Sequence, residues 1–403
     1  MTLFFISSAV YDARLYIKTS KTTEMQNIAS LSKTLIDQSL PIQDRFRALF
    51  TLRSLETNQA AVQALIDALA ADSSLSSSSA DDDGGDDDAH QKLSSLHADA
   101  LFRHEVAFAL GQMRAKAATA TLISVLKNQR EHGMTRHECA EALGAIADET
   151  SLEVLRDMRE DSKHREVRET ASLALRRVEY MVGSRDESTA TSTTTATNTT
   201  TFNNSTGAIV GSKKESIGKV AAVNEEQEEE FAYSVDPVPA MDESIETETL
   251  AAIILDDAAD IWDRYAAMFA LRNRAQKTFG LVKKTQENEQ LVQLCSSTLG
   301  KTLRSETVQS ALLKHEICYV LGQLREDDDN EIARKALFEC LEDPNEHAMV
   351  RHEAAEAIGS RGGRGAEALL RKYLSCEDRI VSESCEVALD MLKENEEGFV
   401  ALE

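Results

Sequence analysis

Arg103-His104-Glu105-Val106-Ala107-Phe108-Ala109-Leu110-Gly111 is the first of four copies of one phrase, a basic residue followed by His, Glu and an apolar run closed by Gly. The others are Arg136-His137-Glu138-Cys139-Ala140-Glu141-Ala142-Leu143-Gly144, Lys314-His315-Glu316-Ile317-Cys318-Tyr319-Val320-Leu321-Gly322 and Arg351-His352-Glu353-Ala354-Ala355-Glu356-Ala357-Ile358-Gly359. His104 and His137 stand 33 residues apart, His315 and His352 37, and the two pairs are offset by 211 to 215 residues. A period in the thirties with helical residues between marks stacked helical hairpins, each too small to bury its own apolar face. The spacing therefore predicts an all-α chain built as a duplicated array.

Working outward from the phrase, the flanking chain repeats too. Asp44-Arg45-Phe46-Arg47-Ala48-Leu49-Phe50-Thr51-Leu52-Arg53 has apolar residues at helical period and is mirrored by Asp263 to Arg272. Val167 to Leu175 is mirrored by Val381 to Leu389. Each half thus reads as four hairpins, with plain outer units flanking two His-Glu units. The expected division is an N-terminal extension over 1–27, a first repeat domain over 28–182, a linker over 183–245, a second repeat domain over 246–396 and a tail over 397–403. Residues 73–89 hold a serine run and six aspartates, and 188–230 a Ser/Thr tract and a glutamate run. Neither composition can bury enough surface to offset its ordering entropy, so both are expected to be disordered. The excursion over 276–305 carries Leu281, Val282, Leu291, Val292 and Leu294 and promises more helix than the aspartate-rich insertion.

Four prolines and 5% aromatics suit a helical solenoid, and 42% apolar residues supply substantial cores. A formal charge of -25 disfavours nucleic acid and anionic membranes, and favours a basic protein or polyamine-like partner. The six cysteines show no CxxC spacing and read as core thiols in a reducing compartment, so the expected location is the cytoplasm, with the nucleus a further option. Leu3-Phe4-Phe5-Ile6 is too short for a membrane span or a signal segment. The sequons at Asn198, Asn203 and Asn204 are then incidental.

On a helix, adjacent His and Glu stand about 100° apart, so one pair alone is expected to diverge and chelate poorly. Two such helices side by side can converge two imidazoles and a carboxylate on one ion, and duplication gives two ions. Four imidazoles and four carboxylates without thiolate form a nitrogen and oxygen set that suits iron, manganese or zinc. Two His plus one carboxylate with open positions is the arrangement non-haem Fe(II) uses with dioxygen. A packing role would explain the recurring Ala, Leu and Gly, but not ionisable residues in every central unit while outer units carry Arg45-Phe46 or Trp262-Asp263. Glu141 and Glu356, four residues beyond His137 and His352, share their faces and are further ligands, partners of the ligands or plain solvated residues. His132, His164 and His347 fall near turns and are expected to be exposed.

At these residues the chain resembles the deoxyhypusine hydroxylases, HEAT-repeat di-iron monooxygenases with two His-Glu pairs in each half. The resemblance covers roughly 28–182 and 246–396. It implies two four-repeat halves facing each other around a shared metal site that holds two Fe(II) ions, with dioxygen as co-substrate. It implies that His104, His137 and Glu138 hold one iron and His315, His352 and Glu353 the other, while Glu105 and Glu316 face the substrate amines as catalytic and substrate-binding residues. The implied substrate is the deoxyhypusine side chain of a eukaryotic translation initiation factor, hydroxylated to hypusine. Two other readings compete. One is a non-enzymatic HEAT scaffold for a basic protein, which predicts no bound iron. The other is a repeat-type bilin lyase, which would not require His-Glu twice in each half.

Overall fold

The computed structural model describes residues 21–71, 99–161, 163–190, 236–279, 285–324 and 331–400. Among these, sixteen α-helices form and no strand. The first half comprises α1 (Lys21–Ile36), α2 (Ile42–Arg53), α3 (Gln59–Ala70), α4 (Ala100–Gln112), α5 (Thr119–Lys127), α6 (Gly133–Ile146), α7 (Leu152–Met158) and α8 (Arg165–Ala190). The second comprises α9 (Thr247–Leu255), α10 (Ile261–Phe279), α11 (Gln286–Leu303), α12 (Ala311–Gln323), α13 (Ile332–Glu342), α14 (Ala348–Arg361), α15 (Ala366–Tyr373) and α16 (Arg379–Val400). Consecutive helices pair into eight hairpins, four in each half. No described helix is long and apolar enough to cross a membrane.

The even-numbered helices form the inner row. Within the halves α2 packs on α4, α4 on α6 and α6 on α8, then α10 on α12, α12 on α14 and α14 on α16. Between the halves α8 meets α10 and α12, and α16 meets α2 and α4, which closes the inner row into a ring. The first seam carries ion pairs from Arg165 to Asp257 and Arg176 to Asp260, and Ser310 donates to Glu169 across it at 2.6 Å. At the second, Arg47 pairs with Asp390.

In four of the eight repeats one arginine locks outer helix to inner helix. Nε of Arg45, Arg136, Arg264 and Arg351 donates to the carbonyl ten residues earlier, on Leu35, Leu126, Ile254 and Leu341, at 2.9–3.1 Å. Each of those carbonyls lies in the last turn of an outer helix, where intrahelical donors run out. The same guanidinium then reaches an acid at the head of a following helix in two cases, Arg45 to Asp99 at 2.6 Å and Arg136 to Asp161 at 2.7 Å. Because these charges are buried, they need such partners.

The helix bounds do not coincide with the expected domain limits. Helix α1 covers Lys21–Ile36 and so already includes residues ahead of the expected start at 28. Helix α8 runs to Ala190, past 182, and α16 to Val400, past 396; no proline interrupts either. The described residues ahead of the expected domain start at 246 run from Asp236, and Val238 among them is fully buried. The disorder expected over 73–89 and 191–230 concerns residues outside those described, whereas 188–190 are the end of α8. Within the excursion over 276–305, α11 supplies an outer helix.

Candidate metal centre

The four phrases lie on α4, α6, α12 and α14, the inner helices of the second and third units of each half. The closing glycine lets neighbouring inner helices touch. A Cβ on Gly111 would meet Ala142 Cα at 2.8 Å, one on Gly144 would meet Ala174 Cβ at 2.9 Å, and one on Gly359 would meet Ala388 Cα at 2.7 Å. Such contacts are shorter than packed atoms tolerate, so glycine is what permits the approach. With the helices this close, side chains from successive units reach a common chamber.

The imidazoles converge there. Ring centroids lie 5.4 Å apart for His104 and His137 and 5.8 Å for His315 and His352. Across the halves the spacing is 5.1 Å for His104 and His352, 5.9 Å for His104 and His315, and 5.6 Å for His137 and His315. Glu138 Oε2 lies 3.2 Å from His104 Nε2 and 3.9 Å from His137 Nε2. Glu353 Oε2 stands in the matching place, 3.4 Å from His315 Nε2 and 3.8 Å from His352 Nε2. His and Glu of one helix therefore do not diverge as the 100° offset suggested, because side-chain rotation closes the angle that the backbone opens. His104 also groups with His315 and His352, and Glu105 with His352 and Glu356, each set having donor atoms within 4.8 Å.

All four Nε2 atoms are buried and lack a hydrogen bond of acceptable geometry, while Nδ1 of His104, His137 and His352 is held from behind. His137 Nδ1 faces Thr170 Oγ1 at 3.4 Å, and His352 Nδ1 faces Ser384 Oγ at 3.1 Å and Glu356 Oε1 at 3.5 Å. His104 Nδ1 lies 3.0 Å from Glu105 Oε1. An imidazole fixed through Nδ1 with Nε2 bare is poised to ligate, and outer hydrogen bonds of this kind orient ligating histidines. The donor set is nitrogen and oxygen without sulfur, so the residues fit a divalent transition metal of the iron type.

The electrostatics agree. Burial depresses the basicity of His137 and His352, and neighbouring imidazoles add to it; His315 is pushed down to about 3 for the same reasons. Burial opposes protonation of His104 too, but the carboxylates of Glu105 and Glu138 outweigh it and raise its basicity. Burial likewise pushes the carboxyls of Glu316, Glu353 and Glu356 well above the usual range, and Glu141 up to about 8. Mutual repulsion among these acids adds to burial, which is the pattern expected where a cation belongs.

A cavity of about 760 Å³ including its mouth opens onto the chamber. It is lined by Glu105, Glu138, Glu141, Glu316, Glu353 and Glu356, by Phe108 and Tyr319 at matching positions of the two halves, and by Asp236 and Pro237. The acidic floor with two aromatic side chains suits an elongated ligand with positive charge and methylene groups.

Sequence reasoning missed several residues of this site. Thr170 and Ser384 lie in the plain outer units, one helix beyond the histidines they hold. Arg103 and Lys314, read only as part of the phrase, pair with Glu131 and Glu346 at 2.7 Å each. The signal was present, since Glu131-His132 and Glu346-His347 are themselves a repeated pair. Of the three histidines expected at the surface, His347 is exposed, but His132 and His164 are half-buried. His132 and His347 each accept a backbone N–H at 3.2 Å at the start of α6 and α14.

Residues 88–176 match a family model described as HEAT repeats. Over 368 residues the chain is 35% identical to deoxyhypusine hydroxylase-B of Oryza sativa subsp. japonica, covering 91% of this chain and 93% of that relative. It is 34% identical over 366 residues to the deoxyhypusine hydroxylase of Bos taurus, covering 91% of each chain. A solved structure of human deoxyhypusine hydroxylase in complex with glycerol aligns with a TM-score of 0.63 at 32% identity, over 92% of this chain and 98% of that one. Identity of this order along nine-tenths of the length, together with the buried four-imidazole chamber, places the chain in the deoxyhypusine hydroxylase family.

Proposed function

We propose that this chain hydroxylates the deoxyhypusine side chain of a eukaryotic translation initiation factor, using dioxygen and two iron ions. His104, His137 and Glu138 would hold one ion, and His315, His352 and Glu353 the other. The observation that carries this is the set of four buried Nε2 atoms, two from each half, bare and facing one another among carboxylates. A non-enzymatic scaffold gives no reason to bury unpartnered imidazoles at that cost. Iron supplies what no side chain offers here, binding of dioxygen and transfer of electrons to it.

The chain's own groups do the rest. Deoxyhypusine is long, flexible and doubly cationic, and the acidic cavity on a protein of charge -25 would draw it in. Glu105 and Glu316, from the second unit of each half, would take its ammonium groups in charge-assisted hydrogen bonds. Phe108 and Tyr319 would flank the methylenes. Thr170, Ser384 and Glu356 fix the imidazoles through Nδ1, and the closed ring of inner helices limits water at the reacting carbon.

The experiment compares iron content and substrate binding in Glu138→Ala and Glu353→Ala with those in Glu105→Ala and Glu316→Ala. The first two should lose iron. The second two should keep it and bind the modified protein more weakly, by about 1.5–3 kcal/mol for a lost charge-assisted hydrogen bond. Glu105→Ala losing iron as fully as Glu138→Ala would show that the division of roles is wrong.

A further inference from the structure

The four phrase glutamates are not equally engaged. Glu105 lies 3.0 Å from His104 Nδ1, Glu138 3.2 Å from His104 Nε2 and Glu353 3.4 Å from His315 Nε2. Glu316 alone of the four makes no hydrogen bond or ion pair with any described residue. It is 7% exposed and lines the cavity. A bare carboxylate in such a place is costly unless something is meant to meet it.

A cation stands close to it nonetheless. Arg272, at the end of the stretch Asp263 to Arg272, is tied to Asp236, which lines the same cavity as Glu316. Arg53, at the matching place in the first half, is tied to Gln112, which lines that cavity with Glu105. Both guanidiniums lie over a phenylalanine one turn back, Arg53 over Phe50 and Arg272 over Phe269, at 4.9 and 4.5 Å from the ring centres. They differ in where their N–H groups go. Arg53 donates to the neutral amide oxygen of Gln112 at 2.6 Å. Arg272 is gripped by both carboxylate oxygens of Asp236, at 2.9 and 2.5 Å.

Asp236 has no counterpart in the duplicated repeats, because it belongs to the segment that joins the halves. Its backbone is fixed as well. Arg177 of α8 donates to its carbonyl, Pro237 lines the cavity, and Val238 is fully buried. We propose that Asp236 is a positioning residue for substrate binding. By occupying Arg272 on both prongs it keeps that guanidinium off Glu316 and leaves Glu316 as the bare carboxylate that receives a substrate ammonium group. This rests on the reading above that Glu316 meets the substrate. It makes the two substrate-facing glutamates unequal, with Glu316 the stronger anchor.

The test is equilibrium binding of a deoxyhypusine-bearing peptide to the iron-loaded full chain, with iron content and melting temperature measured for every variant. Asp236→Asn frees Arg272 to pair with Glu316, and binding should weaken about tenfold to a hundredfold, the worth of one charge-assisted hydrogen bond, with iron retained. Asp236→Glu should restore most of the affinity. Arg272→Gln should bind no more weakly than the parent, because the competing cation is gone. The double variant Asp236→Asn/Arg272→Gln should return to within a few-fold of the parent.

If the double variant binds as poorly as Asp236→Asn, or Arg272→Gln alone weakens binding tenfold, Asp236 acts only as a strap between the halves and the inference is overturned. Unchanged binding in Asp236→Asn overturns it too. Should Asp236→Asn fail to fold, Arg272→Gln still decides between the two accounts. Glu316→Gln separates this inference from the reading beneath it. If that variant binds normally, Glu316 is not the ammonium acceptor at all. If it binds weakly while Asp236→Asn binds normally, only the role of Asp236 fails.

Discussion

Gly359→Ala is the sharpest test of how the fold brings the histidines together. The added methyl would lie 2.7 Å from both Ala388 Cα and the Ala388 carbonyl oxygen, which are backbone atoms of α16 and cannot swing aside. Relief needs α14 and α16 to part by roughly 0.7 Å, the shortfall from ordinary van der Waals contact in a close-packed interior. Overpacking of this kind costs about 1–3 kcal/mol. Alanine's better helix propensity returns about 1 kcal/mol at most, so the clash wins. The same separation stretches the 3.1 Å contact from Ser384 to His352 Nδ1 and lets the imidazole turn. The measurements are thermal melting and iron per chain, with Gly183→Ala as the control. Gly183 is exposed in α8 with nothing within 4 Å of its would-be Cβ, so that variant should gain up to about 1 kcal/mol and keep its iron. If Gly359→Ala melts with the parent and holds its full iron, close approach of the inner helices is not what assembles the site.

Two further outcomes follow from the same structure. Burial would raise the Asp161 carboxyl, but the backbone N–H groups of His164 and Lys163 and the Arg136 guanidinium hold it well below its ordinary 3.8. Its stabilisation is therefore present above about pH 4 and lost as pH falls through the lower folded value, so in acid melts Asp161→Asn should lose this part of the parent's pH dependence. At pH 7 that variant leaves Arg136 buried without its acid and should be destabilised by about 3–5 kcal/mol. Removing metal by chelation should lower the melting temperature by several degrees, since a ligand at a thousand times its Kd contributes about 4 kcal/mol; unchanged melting would show that the halves pair without it.

Much of this was legible because repetition multiplies a weak signal. A single His-Glu at a helix start says little, but four copies in two spaced pairs give helical hairpins, a duplicated array and a candidate ligand set. What escaped was whatever is not repeated or lies one helix away. Thr170 and Ser384 sit in units without the phrase, and a hydroxyl in an apolar stripe looks like any other. Asp236 was assigned to the linker because it follows the Ser/Thr tract and the glutamate run without a repeat pattern of its own, yet ion pairing with Arg272 and burial of Val238 fix it. Angular reasoning about adjacent His and Glu failed for a different reason. A helical wheel fixes Cα–Cβ directions, whereas glutamate reaches its target through rotations the wheel leaves out.

The energetics of the empty-handed imidazoles bear on why the chain is duplicated at all. Each buried nitrogen left without a hydrogen bond costs about 1–3 kcal/mol, so even His137 and His352 alone, whose Nε2 atoms stand 3.9 and 3.8 Å from a carboxylate oxygen, take up a sizeable share of the net stability of an ordinary domain, about 5–15 kcal/mol. A purely structural core would replace them with apolar residues at no loss. Moreover, the closest ring pair in the chamber, His104 with His352 at 5.1 Å, joins different halves, and is tighter than either pair within a half, 5.4 and 5.8 Å. Each half alone therefore presents only its own two imidazoles and carboxylates, and exposes them until the other closes over it. A cation that engages both sets would offset the cost of burying them and clamp α4 and α6 to α12 and α14. Assembly of the ring then completes the four-imidazole chamber, whose donors are split evenly between two copies of one repeat.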